Sequence, residues 1–430
     1  MPLPTLKPFG QDLLAAQYDN MLSCVRCGLC LSVCPTYQER LIEPEGPRGR
    51  IAIAKALVEG NLSLTSDLLQ HWDSCILCDA CSFICPSGVH MEAIGQALRT
   101  AVTETKGKNP SGPVVNAMLR WVLPNMGLLR TITGIGRLYQ KSGLQRLTRA
   151  SGVLRLLRLE EAEAMLPAIE APALVPNGQV WEPGGEHRAT VALLAGCIMS
   201  TAFSETDRAT ARVLAANGCR VGVPAGQGCC GALHAHRGEI EGARALARRN
   251  IDALLASEAD TIIVNAAGCG ATLKHYGSLL ADDPSYKDRA AILAAKARDF
   301  TEFLAELGVR PPPRALNMTV TYQEPCHLAN AQRVREAPRK LLRAVPGLVL
   351  REMAESAMCC GSGALYNVTQ TDSSHALRAR KVRNAAATEA EVIVTANPGC
   401  FIQLGQGLQE ARASLRVLHI ADLLDQAYRL

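Results

Sequence analysis

Strand-length apolar runs and amphipathic helices alternate through the second half of the chain. ATVALLAGC (189–197) and DTIIVNAAGC (260–269) have the length and composition of buried strands. Residues 204–218 and 239–255 instead repeat their apolar positions at helical spacing. Because alternating strands and helices form mostly parallel sheets covered on both faces, this pattern predicts an α/β fold.

The same order of elements recurs about 130 residues further along the chain. MTVTYQEPC (318–326), a helix predicted from about Ala331, and EVIVTANPGC (391–400) repeat the first pattern. Three cysteine landmarks of the first copy recur at offsets of 129, 130 and 131 residues. A near-constant offset indicates duplication of one fold. We call residues 188–311 copy one and residues 312–430 copy two.

The first hundred residues have a helical pattern instead. RIAIAKALVEG (50–60) and residues 65–72 are predicted helices, and GPRGR (46–50) is predicted to form a turn. We therefore expect a helical domain over residues 1–104, followed by a connector and linker over residues 105–187.

The connector is strongly basic. Residues 105–159 contain ten Lys or Arg and no Asp or Glu, next to apolar clusters such as MLRWVLPNMGLLRTITGIGRL. This composition suits a helix lying on an anionic membrane surface, and it equally suits a helical connector packed on other domains or subunits. Few aromatic residues and no recognition motif argue against nucleic acid as a partner. The Pro- and Gly-rich residues 168–186 are predicted to form a linker.

Composition narrows the class of protein. The 430 residues are 48% hydrophobic and 20% charged, which excludes collagen, low complexity and wholesale disorder. The first residues have no secretory pattern and no run is long enough to span a membrane, so we expect a cytoplasmic location. In a reducing compartment, clusters among 17 cysteines indicate metal ligands rather than disulfides.

Eight of these cysteines form two CxxCxxCxxxCP motifs, at residues 24–35 and 75–86. This spacing is typical of [4Fe–4S] cubanes, in which the fourth cysteine of each motif binds the other cluster. Two structural zinc sites, in a zinc-stabilised scaffold protein, are the alternative, but zinc does not require the third and fourth cysteines of the motif. We assign cluster 1 to Cys24, Cys27, Cys30 and Cys85, and cluster 2 to Cys75, Cys78, Cys81 and Cys34. The predicted fold class is therefore multi-domain α+β: an N-terminal α-helical ferredoxin-type domain followed by two duplicated α/β cysteine-rich domains.

Each copy carries four further cysteines, two of them adjacent in a CCG motif. The sets are Cys197, Cys229, Cys230 and Cys269 in copy one, and Cys326, Cys359, Cys360 and Cys400 in copy two. A cluster, a redox dithiol or a zinc site fits each set, and an iron–sulfur centre in at least one copy is favoured over empty thiol pockets retained for packing. Gly231 and Gly361 would allow the backbone to approach whatever binds there.

One further cysteine, two arginines and four histidines lie near these motifs. Cys219 alternates with apolar neighbours and is predicted to face the core. Arg48 and Arg50 would dock a partner or balance cluster charge, unless they are a solvated helix start. Four histidines near the pockets would tune protonation or a potential: His234, His236, His275 and His327. Because the chain has no dinucleotide fingerprint, P-loop, catalytic triad or flavin-binding pattern, we assign it no catalytic residue and expect one subunit of a larger oxidoreductase.

The combination of these motifs resembles the iron–sulfur subunits of bacterial glycolate oxidase over nearly the whole chain. The resemblance rests on CVRCGLCLSVCPTYQ, EGPRGRIAIAKALVEGN, CILCDACSFICPSGV, AAGCGATLKHYG and TANPGCFIQL. It implies partner subunits that bear FAD and oxidise glycolate to glyoxylate, with this chain passing electrons to a quinone-type acceptor at the inner face of the cytoplasmic membrane.

The layout is similar to other redox proteins as well. The alternatives are subunits of lactate or glycerol-3-phosphate dehydrogenases and of heterodisulfide reductase. In heterodisulfide reductase-type domains a fifth thiol follows the last cysteine, whereas Thr272 and Gln403 stand at those positions here. An unusual five-thiol cluster is therefore not expected, and an ordinary cluster or none remains open.

Overall fold

The computed structural model describes residues 8–107, 111–157 and 159–429. Its N-terminal part is a bundle of helices joined by two cysteine loops and short 3-10 turns at Leu29–Leu31 and Glu43–Glu45. The helices are α1 Pro8–Ala15, α2 Tyr18–Leu22, α3 Pro35–Arg40, α4 Pro47–Val58, α5 Ser66–Asp73, α6 Ala80–Ile84 and α7 Met91–Lys106.

Helix α4 begins at Pro47, so the turn predicted at GPRGR is wrong. Proline is tolerated at the first helical position because its missing N–H would have no partner there. A Cβ on Gly49 would lie 2.0 Å from the backbone oxygen of Glu43, so the helix start packs directly on the preceding 3-10 turn. The predicted helices over residues 50–60 and 65–72 are confirmed within α4 and α5.

One apolar core holds the helical domain together. Trp72, Ile94 and Leu98 are fully buried in it, and burial of each such side chain contributes about 1.5–3 kcal/mol. Cys24 and Cys85 pack against the same core, so the bundle fixes the positions of both cysteine loops.

The connector consists of helices, and its first part packs on copy one. The helices are α8 Pro113–Ala117, a π-helical turn Met118–Val122, α9 Met126–Lys141, α10 Leu144–Ser151, α11 Val153–Leu156 and α12 Glu160–Ala164. Leu119, Leu123 and Met126 form an apolar cluster with Cys197 and Cys229 of copy one. The expected packing of the connector on another domain is therefore confirmed for this inner face. Within the described ranges, no helix is both long and apolar enough to cross a membrane.

Four strands of copy one and one strand from the residues just before it form a five-stranded sheet in the order β1-β3-β2-β4-β5, in which only β1 is antiparallel to its neighbour. Its strands are β1 Val180–Trp181, β2 Ala189–Leu193, β3 Cys219–Gly222, β4 Thr261–Val264 and β5 Ala297–Asp299. The helices of copy one are α13 Ile198–Thr201, α14 Ser204–Ala216, α15 Ala232–His236, α16 Ile240–Leu255, α17 Ala267–Lys274, α18 Tyr276–Leu279, α19 Lys287–Lys296 and α20 Phe300–Leu307. The predicted strands and helices of this copy are confirmed. Strand β1 lies in the stretch predicted to be a linker and pairs Trp181 with Val221.

Copy two contains a four-stranded parallel sheet in the order β7-β6-β8-β9. Its strands are β6 Met318–Tyr322, β7 Leu348–Arg351, β8 Val392–Thr395 and β9 Arg416–His419. Its helices are α21 Glu336–Arg343, α22 Tyr366–Thr369, α23 Thr371–Ala386, α24 Pro398–Glu410 and α25 Ile420–Tyr428, with short turns at His327–Ala331 and Gly363–Leu365. The helix predicted from Ala331 begins instead at Glu336, because the chain turns through Arg333 with a φ of 59°.

The two copies share one hydrophobic core. Val191 and Ile263 of copy one and Val320 and Val394 of copy two belong to the same buried cluster. Helix α14 packs against α25, and α21 packs against α20. Helices α14 and α21 each follow the first parallel strand of their copy, and α20 and α25 each follow the last strand. The early helix of each copy therefore packs on the last helix of the other copy.

Candidate metal centres

The four cysteines assigned to cluster 1 line one cavity. Cys24, Cys27 and Cys30 come from the first cysteine loop, and Cys85 comes from the end of the second motif. The backbone N–H of Val89 donates a hydrogen bond to Cys85 Sγ at 3.4 Å. Four thiols from two loops around one cavity fit a cubane, whose four irons each take one cysteine thiolate.

The four cysteines assigned to cluster 2 line the neighbouring cavity: Cys34, Cys75, Cys78 and Cys81. Cys81 and Met91 border both cavities, so the two are adjacent. Burial, and then the neighbouring thiols, raises the pKa of Cys78 and Cys81 well above the usual range. Such thiols stay protonated until a bound metal ion displaces the proton.

Both cysteine loops turn through left-handed backbone at equivalent places. Arg26 and Gly28 in the first loop have φ values of 56° and 87°, and Leu77 and Asp79 in the second have 56° and 59°. Only glycine adopts this conformation without strain, so the packing around the loops holds the other three there. The resulting curvature turns the thiols of each loop toward a common point.

Arg50 lines the second cavity and bonds to the segments around it. Its guanidinium donates to Glu45 at 2.9 Å, to Thr36 Oγ1 at 3.0 Å and to Ser74 Oγ at 2.7 Å. Thr36 lies two residues after Cys34, and Ser74 immediately precedes Cys75. Since Arg50 is only 1% exposed, it neither docks a partner nor starts a solvated helix. It ties together the two segments that supply the cavity.

The four copy-one cysteines lie close together. Cys230 and Cys269 have their sulfur atoms 3.1 Å apart, and Cys197 and Cys229 interact directly. Contact with Cys229, followed by burial, raises the pKa of Cys197 well above the usual range. Asn250, on the helix behind, holds the backbone carbonyl of Cys229 with a hydrogen bond of 2.8 Å.

The copy-two thiol set is arranged in the same way but has a different neighbour. Cys326 and Cys359 have their sulfur atoms 3.9 Å apart, and Cys360 interacts with Cys400. Lys381, 131 residues after Asn250, is buried beside these thiols and donates to the backbone oxygen of Ser356 at 3.1 Å. Copy two therefore has a buried lysine, whose pKa burial lowers, where copy one has a neutral amide.

The glycines of the two CCG motifs, Gly231 and Gly361, lie where the backbone packs closely on a helix. Both have a φ of 87°, which favours glycine. A Cβ would lie 3.2 Å from the backbone oxygen of Ala243 in the first case and 2.7 Å from that of Ser374 in the second. Each glycine thus lets its loop approach the following helix.

The second cavity adjoins the copy-two thiol set. Cys78 shares an apolar cluster with Cys326, Cys359 and Tyr366. A Cβ on Gly363 would lie 2.3 Å from the side chain of Ile76, which shows how closely the loops approach. Three thiol-lined sites thus follow one another: the first cavity, the second cavity and the copy-two set.

The four histidines have different surroundings. His234 bonds to the backbone oxygen of Leu119 at 2.7 Å, and His275 is exposed. The rings of His236 and His327 are 5.0 Å apart, and His327 Nδ1 lies 3.5 Å from Cys326 Sγ. Only His327 therefore touches a predicted ligand. Cys219 is fully buried in the main core, as predicted.

Three family models match the chain. A 4Fe-4S dicluster domain matches residues 20–89, and a Cysteine-rich domain matches residues 191–274 and 320–405. These matches define an iron–sulfur protein and confirm the predicted fold class. A third model, the Glycolate oxidase iron-sulfur subunit, linker region, matches residues 112–166.

Several curated proteins are similar to the chain. The Probable glycolate oxidase iron-sulfur subunit of Bacillus subtilis (strain 168) is 38% identical over 95% of this chain and 94% of its own length. The Glycolate oxidase iron-sulfur subunit of Escherichia coli (strain K12) is 34% identical over 97% of both chains. Lactate utilization protein A of Bacillus velezensis is 33% identical over 55% of this chain and 98% of its own length. The chain belongs to the glycolate oxidase iron–sulfur subunit family, whose members have an electron-transfer role.

Proposed function

We propose that this chain is the electron-transfer subunit of a glycolate-oxidising complex. Partner subunits bearing FAD oxidise glycolate to glyoxylate, and this chain carries the two electrons away singly to a quinone-type acceptor. Two [4Fe–4S] clusters do this in the helical domain of residues 1–104, held by the cysteines of the two cavities in the sets assigned above. The connector of residues 105–187 and the two copies complete the chain.

The observation that carries this proposal is the contact between the second cavity and the copy-two thiol set. Cys78 packs with Cys326 and Cys359 in one buried cluster, and Cys81 borders both cavities of the helical domain. Redox centres in these three sites would be neighbours, so an electron would need no long step within the protein.

We further propose that copy two holds an additional iron–sulfur centre. A buried lysine beside four thiols is stabilised when the thiols are present as thiolates, as they are when they bind iron. Lys381 provides this charge in copy two, whereas Asn250 is neutral in copy one. Copy one then keeps a thiol pocket covered by the connector.

The acceptor is expected at a membrane surface. The outer face of the connector exposes apolar side chains among basic ones, including Ile135, Leu138, Leu147 and Leu156. Apolar side chains flanked by Lys and Arg suit the surface of an anionic leaflet. We propose that this face holds the complex on the inner side of the cytoplasmic membrane, where quinones are available.

The test is glycolate-dependent reduction of a quinone analogue by the complex purified without oxygen. Cys81→Ser and Cys85→Ser are expected to abolish acceptor reduction while the flavin is still reduced by glycolate. Cys219→Ser is the matched control because Cys219 is buried but borders neither cavity. Lactate and glycerol 3-phosphate, supplied in place of glycolate, test the substrate.

Iron analysis and low-temperature EPR of the same samples count the centres. About eight irons per chain fit two cubanes, and about twelve fit a third centre in one copy. Wild-type rates of acceptor reduction in the Cys81→Ser and Cys85→Ser variants would contradict the electron path. Zinc in place of iron would contradict the whole proposal.

A further inference from the structure

Three potential metal ligands outside the thiol sets meet where the helical domain contacts both copies. Glu92 lies in the first turn of α7, His236 ends α15 of copy one, and His327 follows Cys326 in copy two. Glu92 Oε1 lies 3.6 Å from His236 Nε2, and one ligand atom from each of the three residues lies within 4.8 Å of the other two. No single segment of the chain brings these residues together, so the site exists only in the assembled fold.

Each residue of this group is largely buried and has one polar atom without a hydrogen-bond partner, although Glu92 Oε1 accepts a hydrogen bond from Gln96 at 2.8 Å. Both histidines are at most 9% exposed, and the Glu92 side chain is 12% exposed. In the part of the chain that the structure describes, Glu92 Oε2, His236 Nδ1 and His327 Nε2 have no hydrogen-bond partner. Buried polar side chains normally have partners, so three unsatisfied residues side by side indicate a missing ligand.

We propose that Glu92, His236 and His327 bind a divalent transition-metal ion. Two imidazoles and one carboxylate form a common ligand set for Zn²⁺ and Fe²⁺, distinct from the all-sulfur sets of the cysteines. His327 Nδ1 already contacts Cys326 Sγ, which leaves Nε2 to face the site. Asp79 interacts electrostatically with both Glu92 and His327 and adds a second negative charge nearby.

The ion would join three parts of the chain at one point. Glu92 also lines the second cavity, so the helical domain, copy one and copy two would be fixed relative to each other beside the proposed electron path. The inference goes beyond the proposed function, because it concerns an ion that is not an iron–sulfur cluster.

The test measures zinc binding to the chain with its clusters intact. Zinc is a suitable probe because it binds nitrogen and oxygen ligands more tightly than Fe²⁺ does. After incubation with Zn²⁺ and removal of the excess, wild type is expected to retain one zinc per chain at this site, in addition to any zinc bound by the copy-one thiols. Glu92→Gln and His236→Gln are expected to lose it. His234→Gln is the matched control, since His234 is buried but bonds to the carbonyl of Leu119.

X-ray absorption at the zinc edge of the wild-type protein identifies the ligands without any variant. A shell of nitrogen and oxygen at about 2.0–2.2 Å is expected, distinct from sulfur at about 2.3 Å around any zinc on the thiols. A spectrum with sulfur ligands alone, no retained zinc, or full retention by both variants would each overturn the proposal. Failure of acceptor reduction bears on the proposed function and leaves this result unaffected.

Discussion

Asn330 of copy two donates a hydrogen bond from its side chain to the backbone carbonyl of Cys78, at 3.0 Å. Asn330 is buried in the turn that follows Cys326. The bond therefore joins the second cysteine loop directly to the segment that carries a thiol of copy two. This is the point at which the proposed electron path leaves the helical domain.

Replacing Asn330 by Leu is expected to slow electron transfer between these sites. The substitution leaves the carbonyl of Cys78 buried without a partner, at a cost of about 1–3 kcal/mol. We expect a lower melting temperature and slower glycolate-dependent reduction of the acceptor, with flavin reduction unchanged. Asn384→Leu, which loses hydrogen bonds to Ala354 and Glu355 at the surface, is the control. Equal acceptor rates in Asn330→Leu and wild type would refute the prediction.

The buried Arg50–Glu45 pair is expected to be essential for the stability of the helical domain. Arg50→Met leaves a buried carboxylate short of a partner, and loss of one member of such a pair costs about 3–5 kcal/mol. His71 and Arg40 remain 3.0 and 3.6 Å from Glu45, so we expect the lower end of that range.

Thermal unfolding and iron retention in air measure this effect. Arg48→Gln, which breaks a surface pair with Glu43, is expected to lower the melting temperature less than Arg50→Met does. The double variant Arg50→Met with Glu45→Gln should recover part of the loss. If the double variant is less stable than Arg50→Met, the unpaired charge is not the cause.

Two glycines of copy two are expected to respond to alanine in opposite directions. Gly361→Ala forces a side chain onto left-handed backbone, at about 1–2 kcal/mol, and against the backbone oxygen of Ser374. Gly405 lies inside α24 with open space around it, so Gly405→Ala should stabilise by about 0.5–1 kcal/mol. The melting temperatures of both variants test this prediction. A Gly361→Ala protein that melts at the wild-type temperature would disprove the packing role.

The interface between the copies is expected to weaken as the pH rises. Burial, and then nearby carboxylates, raises the pKa of Asp422 to about 7. A carboxyl with a raised folded-state pKa favours folding when protonated, and this contribution is lost as the pH rises toward 7. Asp422→Asn keeps the bond from Thr206 and removes the titration.

Melting temperatures at pH 5.5 and pH 8.5 test this expectation. The stability of wild type relative to Asp422→Asn should fall between them, by on the order of 1 kcal/mol. Asp282→Asn, at an exposed position, should show no such difference. A pH-independent gap between wild type and Asp422→Asn would contradict the assignment.

The outer face of the connector is expected to bind anionic vesicles. Leu147→Asp and Leu156→Asp place charge on side chains that are 65% and 82% exposed, and should reduce co-sedimentation with phosphatidylglycerol vesicles. Ile292→Asp changes an apolar residue exposed on copy one and should have no effect. Binding that is unchanged by the connector variants, or insensitive to salt, would exclude this face.

The cysteine sets could be predicted from sequence because their chemistry is local. A CxxCxxC loop brings its three thiols together wherever the chain folds, and the 129–131-residue offset pointed to the second CCG thiol set. Strands and helices of both copies followed from periodicity for the same reason. The positions of Asn250 and Lys381 beside the thiols could not be predicted from the sequence, because they depend on how each helix packs.

Long-range contacts account for the predictions that were wrong. Nothing near Arg50 in the sequence shows that Glu45 and Ser74 will bury it, and GPRGR has the composition of a turn although tertiary packing makes it a helix start. The close approach of Gly361 to Ser374 was also hidden for this reason. The sequence did not indicate that Glu92 could bind a metal ion, because its two histidine neighbours lie more than 140 residues away in the chain.

The reciprocal packing of helices between the copies gives the chain the architecture of a homodimer fused into one polypeptide. In a two-fold symmetric dimer, the same pair of surfaces meets twice. Here α14 of copy one packs on α25 of copy two, and α21 of copy two packs on α20 of copy one. A chain with a single copy would have to pair with a second molecule to bury this core, and its stability would then depend on protein concentration. Fusion removes that dependence. It also allows the two thiol sets to have different neighbours, the helical domain for copy two and the connector for copy one.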